Sequence, residues 1–164
     1  MTTSTGNPQE PARLTIRIFR KEDAPADFER AIRIRTEVFV EEQGISLEEE
    51  LDEYDDEAIH WLIVTQSEEA VATGRMIAYQ EGCQMRPVAK IGRIAVKKAM
   101  RGLRLGDLLM REILRIAAED GYGQAILDAQ TRVLPFYEKL GFVAEGDEFM
   151  DANIPHYRMR KLLS

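Results

Sequence analysis

The chain reads IAVKKAMRGLRLGD from Ile94 to Asp107, an apolar strand pattern followed by a glycine-bearing loop and the start of a helix. Free backbone N–H groups in the first turn of a helix attract anions, and the helix dipole adds to that attraction. Gly102 and Gly106 let the backbone approach a ligand where a Cβ would stand in the way. The stretch 86–115 carries nine Lys or Arg against two acidic residues, a formal charge of +7. These features predict an anion-binding junction, although a solubilising basic helix would share the same spacing.

Apolar patterns on both sides of this junction predict an α/β domain. Alternation over 14–18 is typical of a strand, and helical spacing from Asp27 to about Gln43 indicates an amphipathic helix that stops at Gly44. The runs 59–64 and 70–79 are rich in branched and aromatic residues and are separated by the polar residues 66–69, which predicts a hairpin. The further elements are strands over 59–64, 70–79, 90–96, 124–129, 142–144 and 157–162, and helices over 105–118 and 134–140. Strands interleaved with a few helices favour a mixed α/β sandwich around one sheet.

Length and composition exclude several classes of protein. A chain of 164 residues is about one domain long, and 45% hydrophobic residues are enough for a substantial core. We expect a flexible leader over 1–13 and one domain over 14–164. A net charge of -7 argues against a nucleic-acid binder, which needs an excess of basic residues. The sequence also has no apolar run of about 18 residues, so no membrane span is expected.

The numbers and positions of cysteine and histidine residues predict the cellular location and whether the chain has a metal site. Cys83 is the only cysteine, so the chain cannot form an internal disulfide and a cytoplasmic location is expected. His60 and His156 lie far apart in sequence, with no Cys or His at ligand spacing, so no metal site is predicted.

Two motifs resemble those of the GNAT superfamily of N-acetyltransferases. Arg101, Leu105 and Gly106 match the pattern Arg/Gln-x-x-Gly-x-Gly/Ala that follows a hydrophobic strand in this superfamily, with Arg104 at the place of the middle glycine. The segment 135–142, PFYEKLGF, is similar to the Phe-Tyr-x-x-x-Gly-Phe block after the fifth strand. The segments 35–44 and 154–159 are similar to the ElaA-like and YjcF-like bacterial branch, so the resemblance spans 16–161.

The resemblance implies a GNAT fold and a cofactor. The expected architecture is a twisted, mixed but mostly antiparallel sheet of six to seven strands, flanked by helices and splayed between the fourth and fifth strands. Acetyl-CoA is the implied cofactor, with its pantetheine arm inserted in that opening. The implied cofactor-binding residues are the strand backbone of Ile94, Ala95 and Val96, the loop Arg101, Gly102, Leu103, Arg104, Leu105, Gly106 and Asp107, and Gln130, Phe136 and Tyr137.

Amine acetylation needs a proton acceptor and a proton donor. An alkyl ammonium has a pKa near ~10.4, so a base must remove a proton at neutral pH. Four residues are candidates for this base, namely Glu42, His60, Asp128 and His156. Tyr137 matches the family tyrosine that is often assigned as general acid, although it could simply pack against the pantetheine. Cys83 has no His or Asn near it in sequence, so direct attack in a ternary complex is favoured over a cysteine intermediate.

The acidic segment 41–57 bears on the acceptor, because ten of its seventeen residues are Asp or Glu. In this superfamily such a segment covers the acceptor side of the site. A small-molecule amine with a second positive charge would be steered by that field, whereas the same composition would also suit a solvated loop. The resemblance leaves open whether the chain pairs into a homodimer.

Two alternative functions stay open at this point. Arg35, Phe39, Asp52, Asp55 and Arg75 are spaced rather like residues of acyl-homoserine-lactone synthases, relatives with the same fold, although the tryptophan expected after Phe39 is absent. The domain could also be a non-catalytic acyl-CoA sensor, which would bind the cofactor without turning it over.

Overall fold

Seven strands form one sheet in the computed structural model, which describes residues 13–163. The strands are β1 (Leu14–Phe19), β2 (Ile59–Thr65), β3 (Ala70–Tyr79), β4 (Val88–Val96), β5 (Gln124–Gln130), β6 (Val143–Asp151) and β7 (Ile154–Leu162). The helices are α1 (Pro25–Arg35), α2 (Leu47–Glu50), α3 (Leu105–Glu119) and α4 (Leu134–Glu138). A π-helix, Thr36–Glu42, continues α1, and short 3₁₀ turns cover Glu53–Asp56, Lys98–Met100 and Thr131–Val133. Residues 1–12 of the predicted leader lie outside the described residues.

The order of the strands across the sheet is β1-β2-β3-β4-β5-β7-β6. Neighbouring strands are antiparallel except β4 and β5, which are parallel and joined through α3. A parallel pair needs a crossover connection of this kind, because the chain must return to the same end of the sheet. The predicted mixed, mostly antiparallel sheet with flanking helices is confirmed.

Helices cover both faces of the sheet. On one face α3 buries Leu109, Met110 and Ile113 completely against a large core that includes Trp61. On the other face α1 packs Ile34 and neighbouring apolar residues over β1 to β3. This cluster also includes Ala95 of β4.

Several predicted elements differ in length from those observed, among them the last strand, which is predicted over 157–162 and begins at Ile154. The strand predicted over 142–144 extends to Asp151, and the helix predicted over 134–140 ends at Glu138. The polar residues of β6 are all exposed, because this strand lies at the edge of the sheet. Such a strand needs no alternation of apolar residues, so its length could not be predicted from hydrophobic pattern. No helix within residues 13–163 is both long and apolar enough to cross a membrane.

The parallel strands β4 and β5 separate after a short contact. They pair only at Ala89–Ala125 and Lys90–Ile126. Beyond these pairs the two backbones diverge towards the carboxyl ends of both strands. The predicted opening between the fourth and fifth strands is therefore present, and it places a groove at the centre of the sheet.

Candidate active site

The opening between β4 and β5 leads into a groove with a volume of ≈ 450 Å³. Residues from several elements that are distant in sequence line this groove. Its walls include Phe39, Gln43 and Ile45 after α1, Glu49, Asp52 and Tyr54 of the acidic segment, Lys90, Gly92 and Ile94 of β4, Asp128 and Gln130 of β5, Phe136 and Tyr137 of α4, and His156 of β7. Pockets at the carboxyl ends of parallel strands are common ligand sites.

Tyr137 reaches the groove from α4, which begins at Leu134 and has Pro135 in its first turn. Its ring packs edge to face against Phe136 at 4.9 Å and Phe142 at 6.1 Å, so its orientation is fixed by aromatic neighbours. Burial raises the pKa of Tyr137 to about 12, because the charged phenolate is poorly solvated there. The hydroxyl therefore carries its proton at neutral pH, and the raised pKa makes it a weaker acid than an ordinary tyrosine.

His156 lies on β7 opposite Gln130 and lines the same groove. Its Nδ1 atom is 2.7 Å from the carbonyl oxygen of Ile154, and its ring stacks on Phe149. A carbonyl oxygen can only accept, so Nδ1 carries the proton and Nε2 holds the lone pair of the neutral ring. This tautomer makes Nε2 the proton acceptor that His156 can offer in the groove.

Asp128 also lines the groove, but its carboxylate is engaged by cations. Arg158 donates to both of its oxygens, at 2.6 and 3.3 Å. The ammonium of Lys90 lies 3.8 Å from the same group. Burial of Lys90 lowers the pKa of its ammonium, an effect that Asp128 partly offsets. Asp128 thus takes part in a charge cluster at the narrow end of the opening.

The two other candidate bases do not line the groove. Glu42 ends the π-helix and forms an ion pair with Arg101 at 2.8 Å. His60 is buried between Phe19 and Phe28, and its Nε2 atom is 3.0 Å from the carbonyl oxygen of Asp55. Of the five predicted catalytic residues, the structure thus brings Tyr137, His156 and Asp128 together.

The position of His60 predicts a pH effect on stability. Burial lowers the pKa of His60 below the usual 6.5, so below that pH the unfolded chain binds a proton that the folded chain excludes. The free energy of unfolding should fall between pH 7.5 and 5.5, by at most about 1.4 kcal/mol per pH unit for one proton. Chemical denaturation at several pH values measures this fall. His60→Gln, which keeps a donor for Asp55, should flatten it, and an unchanged profile in that variant would contradict the assignment.

The first turn of α3, which follows the glycine loop, has the free amides that anion binding requires. The first hydrogen bond of α3 runs from the N–H of Leu108 to the carbonyl of Arg104, so the N–H groups of 105–107 have no partner inside the helix. Gly102 has φ +86° and Arg104 has φ +60°. Arg104 thus adopts the left-handed conformation that glycine favours, at the place where the superfamily pattern has glycine. Its exposed side chain adds a guanidinium to the same loop.

The remaining predicted cofactor residues surround this loop and the adjacent strand. Arg101 donates to the carbonyl of Val96 at 3.1 Å and so ties the loop to the end of β4. Gly106 faces Phe136, and a Cβ at this glycine would lie 3.4 Å from that ring. Ile94 lines the groove, whereas Ala95 and Val96 pair with β3 through their backbones. Gln130 donates to Gln43 at 2.8 Å across the mouth of the groove.

A buried network of ion pairs joins α1 and β3 to the acidic segment 41–57, and the sequence analysis did not predict this network. Arg35, which is 1% exposed, donates to Glu50 at 2.6 Å and to Asp55 at 2.8 Å. Arg75 donates to Asp52 at 2.6 Å and to Asp55 at 2.9 Å. A signal was available, because Arg35 follows Ala31 by one helical turn and so lies on the buried face of α1.

The arginines of this network compensate part of the negative charge of the acidic segment. Burial alone would raise the pKa of Asp52 and Asp55, but hydrogen bonds and charges from the arginines lower it below the usual value. Burial raises the pKa of Glu50 despite its arginine neighbours. These three acidic groups are neutralised by arginines, so a field that steers cations has to come from exposed acids such as Glu49. Arg35, Asp52, Asp55 and Arg75, whose spacing resembles that of acyl-homoserine-lactone synthases, all have this structural role.

Comparisons with known proteins place the chain in a family. The family of acetyltransferase (GNAT) domains matches residues 22–163. The uncharacterised N-acetyltransferase YjcF of Bacillus subtilis is 39% identical over 132 residues, which are 80% of this chain and 89% of YjcF. The structure of an acyl-CoA N-acyltransferase from Pseudomonas aeruginosa is similar with a TM-score of 0.78 at 27% identity, covering 91% of this chain and 99% of that chain. ElaA of Escherichia coli has the same fold, with a TM-score of 0.78 at 23% identity over 91% of this chain and 99% of ElaA.

The family match and the relatives cover the region that holds the split strands, the glycine loop and the groove. The GNAT family uses acyl-CoA, and the free amides in the first turn of α3 are suited to its phosphates. This chain belongs to the GNAT family of acetyltransferases.

Proposed function

We propose that this protein transfers the acetyl group of acetyl-CoA to a primary amine by direct attack, with both substrates in the groove between β4 and β5. The observation that carries the proposal is that Tyr137 and His156 line one groove beside the opening of the sheet. One of them can donate a proton and the other can accept one, and the reaction requires both kinds of proton transfer.

We assign each part of the cofactor to a feature of the chain. The free N–H groups of 105–107, with the guanidinium groups of Arg101 and Arg104, would hold the pyrophosphate. Beyond Lys90 the edge of β4 that faces β5 is unpaired with that strand, so its backbone groups are free to bind the amides of the pantetheine arm. When bound, acetyl-CoA supplies an acetyl group activated as a thioester.

Proton transfers by two side chains would complete the reaction. His156 Nε2 accepts a proton from the ammonium of the acceptor, directly or through one water, so that the neutral amine can attack. A nitrogen–carbon bond forms as the carbon–sulfur bond breaks, the electron pair of that bond goes to sulfur, and the nitrogen, which becomes cationic on attack, releases its second proton to water. The hydroxyl of Tyr137 gives its proton to the departing thiolate and regains one from solvent.

Exposed acidic groups support an acceptor with a second positive charge. Glu49 and Asp151 line the groove and are both exposed, so they can meet a cation without losing an internal arginine partner. Such groups would raise the local concentration of a cationic amine and would do so less at high ionic strength.

A thiol-release assay tests the proposed function. Acetyl-CoA is supplied with each of four amines: spermidine, glucosamine, kanamycin and a tripeptide with a free amino terminus. We expect thiol release that depends on at least one amine, together with the acetylated product by mass spectrometry. Saturable binding of acetyl-CoA without turnover of any of the four would instead favour the non-catalytic sensor.

A substitution of Glu42 distinguishes two roles for this residue, namely an ion-pair partner of the cofactor loop and the general base. In the structure its carboxylate pairs with Arg101 of the cofactor loop, where a negative charge opposes the pyrophosphate. Glu42→Gln is therefore expected to lower the Kd for acetyl-CoA by about threefold, a change of less than 1 kcal/mol that is typical of an exposed ion pair. Calorimetry measures the Kd, and kcat should stay within about twofold. A fall of about 100-fold in kcat would show instead that Glu42 is the general base.

A further inference from the structure

Strand β4 contains a bulge where it leaves β5. Arg75 pairs with Gly92 and Thr73 pairs with Ala95, so one residue of β3 lies opposite two residues of β4. Arg93, one of these two, has φ +54°, a conformation that is unfavourable for any residue with a Cβ. A bulge bends its strand, and this one begins three residues after Lys90, where β4 last pairs with β5.

The side chain of Arg93 extends from the bulge to the end of α2. Its Nε atom donates to the carbonyl of Glu50 at 3.2 Å, and its Nη2 atom donates to the carbonyl of Glu49 at 3.4 Å and to Asp52 Oδ2 at 3.1 Å. Its Nε atom also lies 3.3 Å from Glu50 Oε2. The last carbonyls of a helix have no partner within the helix, so one planar guanidinium here satisfies several acceptors at once.

These contacts explain why an arginine occupies a strained position. A glycine would adopt φ +54° without the clash that a Cβ causes, so backbone conformation alone favours glycine at the bulge. The hydrogen bonds of the side chain offset that strain, because without them two carbonyls and a buried carboxylate would lose a partner. Glu50 is only 3% exposed, which makes such a loss costly.

The segment that Arg93 holds is one wall of the groove. Glu49, Glu50, Asp52 and Tyr54 all line it, as does Arg93 itself. The other arginines of the network come from α1 and β3, so Arg93 is the contact that joins this wall to the splayed strand.

We propose that Arg93 is a positioning residue, which holds the wall 49–54 against the bulge of β4 and thereby sets the acceptor side of the groove. The assignment of that wall to the acceptor rests on the proposed function. The attachment of the wall to the bulge does not, so the two can be tested separately.

The test compares Arg93→Gly with the wild-type protein by three measurements. Glycine accepts the backbone conformation and removes the guanidinium. Hydrogen exchange is expected to accelerate by about tenfold or more in peptides that cover 47–56, with little change in α3. The Kd for acetyl-CoA, measured by calorimetry, should stay within about twofold. For whichever of the four amines turns over, the acceptor KM should rise by about tenfold while kcat changes by less than about threefold, as expected for lost uniform binding.

Two further variants control for fold and strain. Glu68→Gly makes the same kind of change at φ +67°, in an exposed turn whose side chain pairs with Arg17, and should leave all three measurements unchanged. Arg93→Lys keeps the charge but lacks the planar fork of the guanidinium, so its effects should lie between those of Arg93→Gly and wild type. It replaces Arg93→Gly if that variant does not fold.

The proposal is overturned if exchange in 47–56 is unchanged, if exchange accelerates equally in α3, or if the Kd for acetyl-CoA weakens as much as the acceptor KM rises. If none of the four amines turns over, the proposed function fails, and the exchange and calorimetry results still decide the role of Arg93.

Discussion

Replacing Tyr137 with phenylalanine is expected to lower kcat by about 10² to 10³-fold, because a positioned proton donor contributes about that much to catalysis. The ring packing against Phe136 and Phe142 should survive, since only the hydroxyl is removed. The Kd for acetyl-CoA should therefore change by less than about threefold. Steady-state thiol release gives kcat, and calorimetry gives the Kd.

Tyr122→Phe is the matched control for this prediction. Tyr122 follows α3 and packs against the core rather than lining the groove, so loss of its hydroxyl should leave kcat unchanged. If Tyr137→Phe keeps more than about half of the wild-type kcat, Tyr137 is a packing residue and the proton comes from another donor or from water.

Replacing Arg35 with alanine is expected to lower the free energy of unfolding by about 3–5 kcal/mol. Its side chain is 1% exposed and is the partner of Glu50 and Asp55, which are themselves buried. Its removal leaves Glu50 with Arg93 alone and Asp55 with Arg75 alone, so two buried carboxylates each lose a partner in a poorly solvating environment. Denaturation by urea measures the loss.

Arg111→Ala provides the comparison for an exposed ion pair. Arg111 pairs with Asp107 on the surface of α3 and is 66% exposed, so its loss should cost less than about 1 kcal/mol. An effect of Arg35→Ala as small as that of Arg111→Ala would mean that the network is well solvated and does not hold the acidic segment in place.

The fold could be predicted largely from local pattern and from the family resemblance. The strand and helix on either side of the glycine loop carry clear alternating and helical periodicity, and the structure confirms both as β4 and α3. The length of β6 could not be predicted, since its residues face solvent on both sides. Register was equally inaccessible, because the bulge at Arg93 depends on contacts with residues more than forty positions away.

The candidate site was only partly accessible from sequence for a similar reason. His60 and His156 are each a single histidine in a strand, and nothing in their neighbourhoods ranks one above the other as a base. Their positions in the sheet separate them, since His60 is packed under α1 whereas His156 faces the groove. The roles of Tyr137, Asp128 and His156 in catalysis stay predictions, as do those of the cofactor loop residues.

The central claim is that the opening between β4 and β5, with the loop before α3, binds acetyl-CoA. Isothermal titration of acetyl-CoA into the wild-type protein tests it most directly. The account predicts saturable binding of one molecule per chain with a Kd below about 1 mM, the upper end of the usual range of KM values for enzyme substrates. An absence of binding heat at about 1 mM acetyl-CoA would contradict it.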